Sequence, residues 1–371
     1  MADSADQDLA AVVPKSRSQR VIDALESEGV YDDDRHVREW TDDAVAIPVT
    51  EPPESVDYLE IVRQVGEPRL RTLEDYLREM GWTDDELDLA PGSWAVVGSV
   101  VLVELGDAPR PNEVGEALLS LHGEADTVLS RGPITGEHRE PAVEVVAGTG
   151  DTETIHHEHG TAYALDLAEV MFSPGNQAER TRMGDVVREG TERTERASGS
   201  ERSERHASSE DERVLDMFAG VGYFTLPMAR AGAEVTAVER NPDSFRYLVE
   251  NAMLNDVGDR VHPYRADCRD VVEEFANEAP ADRVVMGYYD ATEPDGDSGY
   301  EYLDAALTAL APGGTIHVHE ATPNDLVFDR PIERLRDAAA TVDREVEVLE
   351  TREVKSYSEG VAHVVVDAHV D

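Results

Sequence analysis

The sequence predicts an α/β protein in which a doubly wound, largely parallel sheet fills the C-terminal half and a smaller α+β domain precedes it. Three observations carry the prediction. From residue 214 onward short apolar runs alternate with longer amphipathic ones, giving strands at 214–216, 234–238, 261–266, 283–286 and 314–318, with helices at 242–255 and 300–310. Such alternation is what a parallel sheet with helices on both faces requires. The first of these strands runs directly into a glycine turn and then a helical pattern, VLDMFAGVG over 214–222 continued by YFTLPMARAGAEV. Upstream of residue 170 the alternation is lost and strand-like and helical runs mix, which reads as α+β.

Taken in order, residues 1–14 are acidic and read as a disordered tail. Residues 15–55 form a small N-terminal element: a helix with Val21, Ile22 and Leu25 on one face, closed by Gly29, and a strand at 44–49 ahead of Pro52 and Pro53. Residues 56–170 make the α+β domain. Its expected elements are a helix at 72–80, the strongly strand-like run WAVVGSVVLVEL at 94–105, a helix at 112–121 started by Pro111, and strands at 142–147 and 161–165. Residues 171–371 form the doubly wound domain, closed by strands at 344–349 and 362–368. Within it, residues 188–213 repeat Glu-Arg with Ser and Thr and carry no apolar residue but alanine, so a solvated loop is expected.

Of the 371 residues, 80 are Asp or Glu and 33 Lys or Arg, a formal net charge of -47. Self-repulsion of that size opposes compaction in dilute buffer and is screened at molar salt, where the Debye length is about 3 Å. The expectation is a protein adapted to a salt-rich cytoplasm, as in haloarchaea. With 40% hydrophobic residues a core is available, against the reading of an acidic disordered protein. Cys268 is the single cysteine, which excludes an internal disulfide and a cysteine zinc cluster. The N-terminal stretch lacks a basic start with an apolar run, and no stretch approaches the roughly 18 apolar residues of a membrane span. A cytoplasmic monomer without metal is expected.

The glycine turn follows the pattern DxFxGxG, with Asp216, Phe218, Gly220 and Gly222, rather than the dinucleotide fingerprint GxGxxG. Glu239 ends the second strand, where an acidic side chain accepts hydrogen bonds from both ribose hydroxyls of a nucleoside. This pattern resembles motif I of class I S-adenosylmethionine (SAM) enzymes. Asp267 and Cys268 end the third strand, where an acid accepts from the adenine amino group; nothing near Cys268 suggests an activated thiolate. The fourth strand ends in MGYY, 286–289. Amino-methyltransferases of this class usually carry (N/D)PP(Y/F) or NLP there, and Gly287 has no side chain to accept from a nitrogen being methylated.

Further runs make the resemblance specific. VMFSPGNQAERTRMGD at 170–185, with MGYY, GGTIHVHEATP and REVKSYS, is similar to the archaeal tRNA 4-demethylwyosine aminocarboxypropyltransferase family, which makes wybutosine-type bases in phenylalanine tRNA. A related family, the tRNA guanine-N1 methyltransferases, typically shows FSPRL and NLP where this chain has Gly175-Asn176 and Met286-Gly287-Tyr288. The resemblance covers residues 142–371 well and the first 50 loosely. It implies SAM as group donor and tRNA(Phe) carrying 4-demethylwyosine as partner. It also implies Ser173 and Arg180 at the amino acid moiety, Glu239 at the ribose, Asp267 and Cys268 at the adenine, and Gly287 beside the ligand. Arg139, Asn176 and Tyr288 are implied on the substrate side. For Arg180 an ion pair with Glu179 or a nearby acid is the alternative.

Two features depart from the family pattern: Glu320, where Asn is expected, and an insertion at 293–299. His156, His157 and His159 in TIHHEHG invite a metal reading, although the related pattern carries none. His317 and His319 share one strand face, where packing or RNA contact is expected. Two other functions stay open at this stage: guanine-N1 methylation, and a noncatalytic RNA-binding protein with a SAM-type fold.

Overall fold

The computed structural model describes residues 9–63, 67–136, 138–198, 211–272, 280–295 and 299–371, with backbone only over 191–198. The chain divides into two compact units, residues 9–90 with 107–123, and residues 91–106 with 124–371. The stretch 56–170, expected as one domain, is thus shared between them.

In the first unit, β1 (Leu9–Pro14), β2 (Arg38–Thr41), β3 (Ala44–Val49) and β4 (Glu60–Arg63) form a sheet of order β2-β3-β1-β4. β1 lies between two antiparallel neighbours, with Leu9 opposite both Val49 and Arg63. The expected disordered tail is corrected here: Ala10, Ala11, Val12 and Val13 are fully or almost fully buried, because LAAVVP is apolar on both faces of a central strand. Residues 1–8 of that tail lie outside the described residues. Helix α1 (Ser18–Glu28) buries Val21 and Leu25 and ends at Gly29, whose φ of 79° closes it. Helices α2 (Leu73–Glu79), α3 (Asp84–Leu87) and α4 (Pro111–Leu121) belong to the same unit. Capping boxes at Thr72 and Thr83 start α2 and α3, and Pro111 starts α4.

The second unit begins with β5 (Trp94–Val97) and β6 (Val100–Val103), joined to β7 (Thr127–Thr135) and β8 (Glu140–Gly148) in the order β5-β6-β7-β8. The single strand expected at 94–105 is therefore a hairpin. Gly98 turns it at φ 57°, and a Cβ there would lie 2.1 Å from Thr154 Oγ1. A second hairpin, β9 (Glu153–Glu158) with β10 (Thr161–Asp166), follows. Helix α5 (Gln177–Ser198) runs on through the first half of the segment expected to be a loop, since Glu and Arg are strong helix formers even without an apolar face. Residues 199–210 of that segment lie outside the described residues.

The large sheet is built from β11 (Arg213–Asp216), β12 (Glu234–Val238), β13 (Val261–Tyr264), β14 (Ala281–Met286), β15 (Leu310–Pro323), β16 (Val346–Ser358) and β17 (Val361–Val370). Its order is β13-β12-β11-β14-β15-β17-β16, with the first five parallel and β17 antiparallel between β15 and β16. The order reverses between β11 and β14, which opens a crevice at their carboxyl ends. Helices α6 (Thr225–Arg230), α7 (Pro242–Leu254), α8 (Glu301–Ala309) and α9 (Asp329–Thr341) cover the faces, over two buried clusters that include Val235, Ala237 and Leu248 on one side and Val284, Leu303 and Leu335 on the other. No described helix is long and apolar enough to cross a membrane.

Candidate functional site

The crevice is built on the turn after β11. Gly220 (φ 57°) and Gly222 (φ 103°) both need left-handed backbone, and a Cβ at Gly222 would meet Leu226 Cγ at 2.8 Å, so glycine lets α6 start against the strand. The turn is tied to its neighbours by Met217 N donating to Val285 O at 3.1 Å and Ala219 N to Val238 O at 3.0 Å. Asn251, fully buried on α7, fixes it from behind: its Nδ2 donates to Val221 O at 2.9 Å and to Ala164 O at 3.0 Å, joining the turn to β10.

Glu239, half-buried at the end of β12, accepts from Gly220 N at 2.8 Å and Asn241 N at 2.7 Å. Burial nevertheless raises its pKa, outweighing these bonds. Asp216 is turned inward instead. It is fully buried, with Oδ2 accepting from Thr225 Oγ1 at 2.7 Å and Oδ1 from Phe218 N, and burial pushes its pKa up to about 6. Asp216, expected among the ligand contacts, is thus the internal brace between turn and α6.

An aromatic wall stands beside the turn. Phe218 meets Tyr288 at 5.4 Å and Tyr302 at 5.3 Å, and Arg139 lies 5.3 Å over the Tyr288 ring. Arg139 is delivered by the β7–β8 connection, whose His138 O accepts from Asn241 Nδ2 at 3.0 Å. Asp267 is engaged bidentately by Arg269, at 2.9 Å and 2.7 Å, and this bond chiefly lowers its pKa. Cys268 is buried and its thiol is pushed up to about 12, so it is an inert packing group. Gly287 follows β14, and a Cβ there would lie 3.0 Å from Phe224 Cε2 and 4.0 Å from Phe218 O.

The segment before α5 forms the opposite wall. Phe172 stacks on Tyr223 at 5.5 Å, and Tyr223 donates its hydroxyl to Met171 O. Arg180, only 1% exposed, gives Nε and Nη2 to Glu158 at 2.7 Å and 2.6 Å and Nη1 to Ser173 O at 2.9 Å. Its fork is spent on Glu158 rather than presented to a ligand; the acid is not the neighbouring Glu179, which pairs with Arg352. Asn176 Nδ2 donates to Tyr289 Oη at 3.1 Å, and Ser173 Oγ accepts from Lys355 Nζ at 2.8 Å.

His156, His317, His319 and Glu320 have structural partners. His156 Nε2 bonds Glu158 at 3.0 Å and its Nδ1 accepts from Gly98 N at 3.2 Å. His317 is buried between Asp367 and Arg283, and His319 bonds His363 at 3.1 Å. Glu320 is buried and accepts from Arg330 Nε and Thr292 Oγ1, both at 2.5 Å. In the expected insertion, Asp295 N donates to Gly299 O at 2.9 Å, and residues 296–298 lie outside the described residues.

Residues 154–199 and 193–349 match the TRM5/TYW2 methyltransferase domain, and residues 73–152 match the TYW2 N-terminal domain. The chain belongs to the TRM5/TYW2 family. It is 36% identical over 290 residues to the tRNA(Phe) (4-demethylwyosine(37)-C(7)) aminocarboxypropyltransferase of Pyrococcus horikoshii, covering 77% of this chain and 92% of that one. Among solved structures, P. horikoshii TYW2 in complex with MeSAdo aligns with a TM-score of 0.59 at 32% identity, over 79% of this chain and 96% of that one. Trm5b from Pyrococcus abyssi aligns with a TM-score of 0.68 at 29% identity, over 98% and 99%. The TRM5/TYW2 chain thus has the class I, Rossmann-like fold of SAM-dependent enzymes that the motif predicted.

Sequence reasoning missed Tyr223, Tyr289, Tyr302, Lys355 and His363, which the TRM5/TYW2 fold gathers from five separate elements. With aromatic residues at 6% of the chain and no periodic spacing among these, only the strand order brings them together.

Proposed function

We propose that the protein transfers the 3-amino-3-carboxypropyl group of SAM to C7 of 4-demethylwyosine beside the anticodon of tRNA(Phe), releasing 5′-methylthioadenosine. The observation that carries this reading is Gly287. At the mouth of the fourth parallel strand it offers no side-chain acceptor, and a larger residue would press on Phe224 within 3.0 Å. Methylation of a ring nitrogen relies on an acceptor at that place; attack by a carbon does not. The P. horikoshii relatives point the same way, one by its activity and one by its bound MeSAdo.

The residues present fit the donor. Gly220 and Gly222 let the turn backbone approach a nucleoside, and Glu239 keeps lone pairs for the ribose hydroxyls beside its two backbone bonds. Phe218 and Tyr288 would flank the adenine of the donor, with Asp267 and Cys268 at its edge. The sulfonium activates all three of its attached carbons, and placement decides which one reacts. Asp216 and Arg180 serve through what they hold, the turn in one case and the Ser173 carbonyl in the other. The electron-rich ring carbon needs no base before it reacts and sheds its proton afterwards, so catalysis rests on positioning and no general base is assigned.

The modified base must leave its stack to reach this crevice. Arg139, half-buried and without a carboxylate partner among the described residues, faces it across Tyr288 together with Asn176. Arg139→Ala is expected to weaken tRNA binding, and unchanged binding would remove it from the tRNA surface. We infer a cytoplasmic monomer, and the net charge of -47 suits a salt-rich cytoplasm. The decisive experiment uses SAM labelled in its carboxyl carbon: label is expected in tRNA, whereas S-adenosylhomocysteine as the only nucleoside product would establish methyl transfer instead.

A further inference from the structure

β15 and β17 share a face that carries His317, His319 and His363, since His317 stands opposite Asp367 and His363 opposite Ala321. His317 is held by charged partners: Nδ1 lies 2.6 Å from Asp367 Oδ1 and Nε2 lies 2.5 Å from Arg283 Nη1. His319 and His363 bond no carboxylate among the described residues; they bond each other, His363 Nε2 lying 3.1 Å from His319 Nδ1. On its other side His363 Nδ1 lies 3.3 Å from Tyr289 Oη, which also accepts from Asn176 Nδ2 at 3.1 Å. The line runs from Tyr289, two residues beyond Gly287 at the mouth of β14, inward to His319. Its inner end, His319 Nε2, is buried and has no partner among the described residues.

Proton positions along this line follow from the partners. Burial pushes His363 down to about 2 and His319 down to about 3, so each ring is neutral and carries one proton. Burial also raises the Tyr289 pKa, so its hydroxyl stays protonated. Asn176 Nδ2 can only donate, which leaves the Tyr289 hydrogen for His363 Nδ1. His363 Nε2 then donates to His319 Nδ1, and His319 keeps its single proton on Nε2. Every link donates inward. A protonated tyrosine accepts a proton only by giving up its own, and here an acceptor already holds that hydrogen. Leaving His319 Nε2 unpaired lowers stability, a cost expected where a group serves the chemistry instead.

We propose that Tyr289 takes the proton shed by C7 of the base while passing its own through His363 to His319. The inference rests on the proposed transfer reaction and deepens it by giving that proton a destination. The bond from C7 to the aminocarboxypropyl carbon forms as the carbon–sulfur bond breaks, and sulfur keeps that electron pair as 5′-methylthioadenosine leaves. The base is then a cation, and a stronger acid than an imidazolium. Its C7–H electron pair returns to the ring and the proton moves to Tyr289 Oη. The tyrosine proton moves to His363 Nδ1, and the proton of His363 Nε2 to His319 Nδ1. His319 becomes an imidazolium, drawn by Asp367 and opposed by Arg352, Arg182 and His317, so it holds the proton only briefly. Once the product leaves, the same shifts in reverse deliver the proton through Tyr289 to water. Asn176 is a positioning residue here, because its bond turns the hydroxyl inward.

The test is multiple turnover, by the full chain, of tRNA whose base carries hydrogen or deuterium at C7, with SAM affinity measured separately by calorimetry. In the wild type the rate is expected to be the same for both isotopes, since attack by carbon is the slow step. Tyr289→Phe and His363→Gln should each turn over about 100-fold more slowly, the low end of what a positioned proton acceptor contributes, and each should now show a primary isotope effect. Gln at 363 can still bond Tyr289 and His319 but cannot pass a proton, so a merely structural role would leave its rate insensitive to deuterium. SAM affinity should be unchanged in both variants. Variants that are insensitive to deuterium overturn the relay and leave the transfer reading standing. Loss of SAM binding in both variants also overturns the relay, because the two side chains would then hold the pocket itself. S-adenosylhomocysteine as the nucleoside product of the wild type overturns the transfer reading instead.

Discussion

Glu158 closes both carboxylate oxygens on Arg180, at 2.7 Å and 2.6 Å, and the pair is buried beneath the rings of Phe172 and Tyr223. Burial alone would raise the Glu158 pKa, yet the bonds from His156 and Arg180 hold it below the usual carboxylate range. The pair anchors the 171–176 segment, because the third arm of Arg180 holds Ser173 O. Removing one partner of such a pair strands the other charge. Glu158→Gln is therefore expected to lower stability by about 3–5 kcal/mol. Denaturant unfolding checks it, and the double variant with Arg180→Met should be less destabilised than the sum of the two single changes.

Asp216 gives a pH signature. Its folded pKa, pushed up to about 6 from the ordinary 3.8, means that the folded chain keeps a proton that the unfolded chain loses over that interval. Stability contributed by this group is present below pH 4 and falls as pH rises to 6, by about 3 kcal/mol in all. Asp216→Asn should remove this falling component while keeping an acceptor for Thr225. The measurement is the difference in unfolding free energy between the two proteins from pH 4 to 7, and a flat difference would refute the assignment.

The buried imidazoles act with the opposite slope. Burial depresses His319 to about 3 and His363 to about 2, so both are neutral in the fold. They face each other, Tyr289, Phe224 and the cations Lys355 and Arg352. Below the unfolded value near 6.5 the unfolded chain gains protons that the folded one refuses. Stability is expected to drop by about 1.4 kcal/mol per pH unit for each imidazole as pH falls below 6.5. His363→Gln should halve that component in unfolding measured at pH 7, 6 and 5.

Charge sets the salt dependence. At -47 the chain should unfold at a lower temperature in 0.1 M salt, where the Debye length is about 10 Å, than at molar salt, where it is about 3 Å. Thermal unfolding across that range checks it, and a midpoint indifferent to salt would show that repulsion is not limiting.

Much of the second unit is legible in the sequence because its strands are short apolar runs ended by special residues. Asp216 ends β11 and Glu239 and Gly287 directly follow β12 and β14, whereas the third strand stops at Tyr264, three residues short of Asp267. Pattern reading fails where one signal serves two structures. WAVVGSVVLVEL is apolar on both sides of Gly98-Ser99, and the pairing of Trp94–Val97 with Val100–Val103 reveals a hairpin. LAAVVP follows an acidic stretch, so only its two pairing partners reveal a central strand. The Glu-Arg repeat at 188–198 lacks an apolar face, yet its residues favour helix all the same.

By itself the sequence determined the strand-turn-helix that begins the large sheet, the acid after the second strand and the missing acceptor after the fourth, because each is written in a few adjacent residues. The tertiary structure decided which charged groups remain available to a ligand. Arg180 and Asp216 read as ligand contacts, yet Glu158 and Thr225, 22 and 9 residues away, hold them inward. Lys355 stands in the run REVKSYS that marks the resemblance, yet only the placement of β16 brings its Nζ to Ser173 Oγ. Partner choice depends on distances set by strand order and helix packing, which no local pattern of residues encodes.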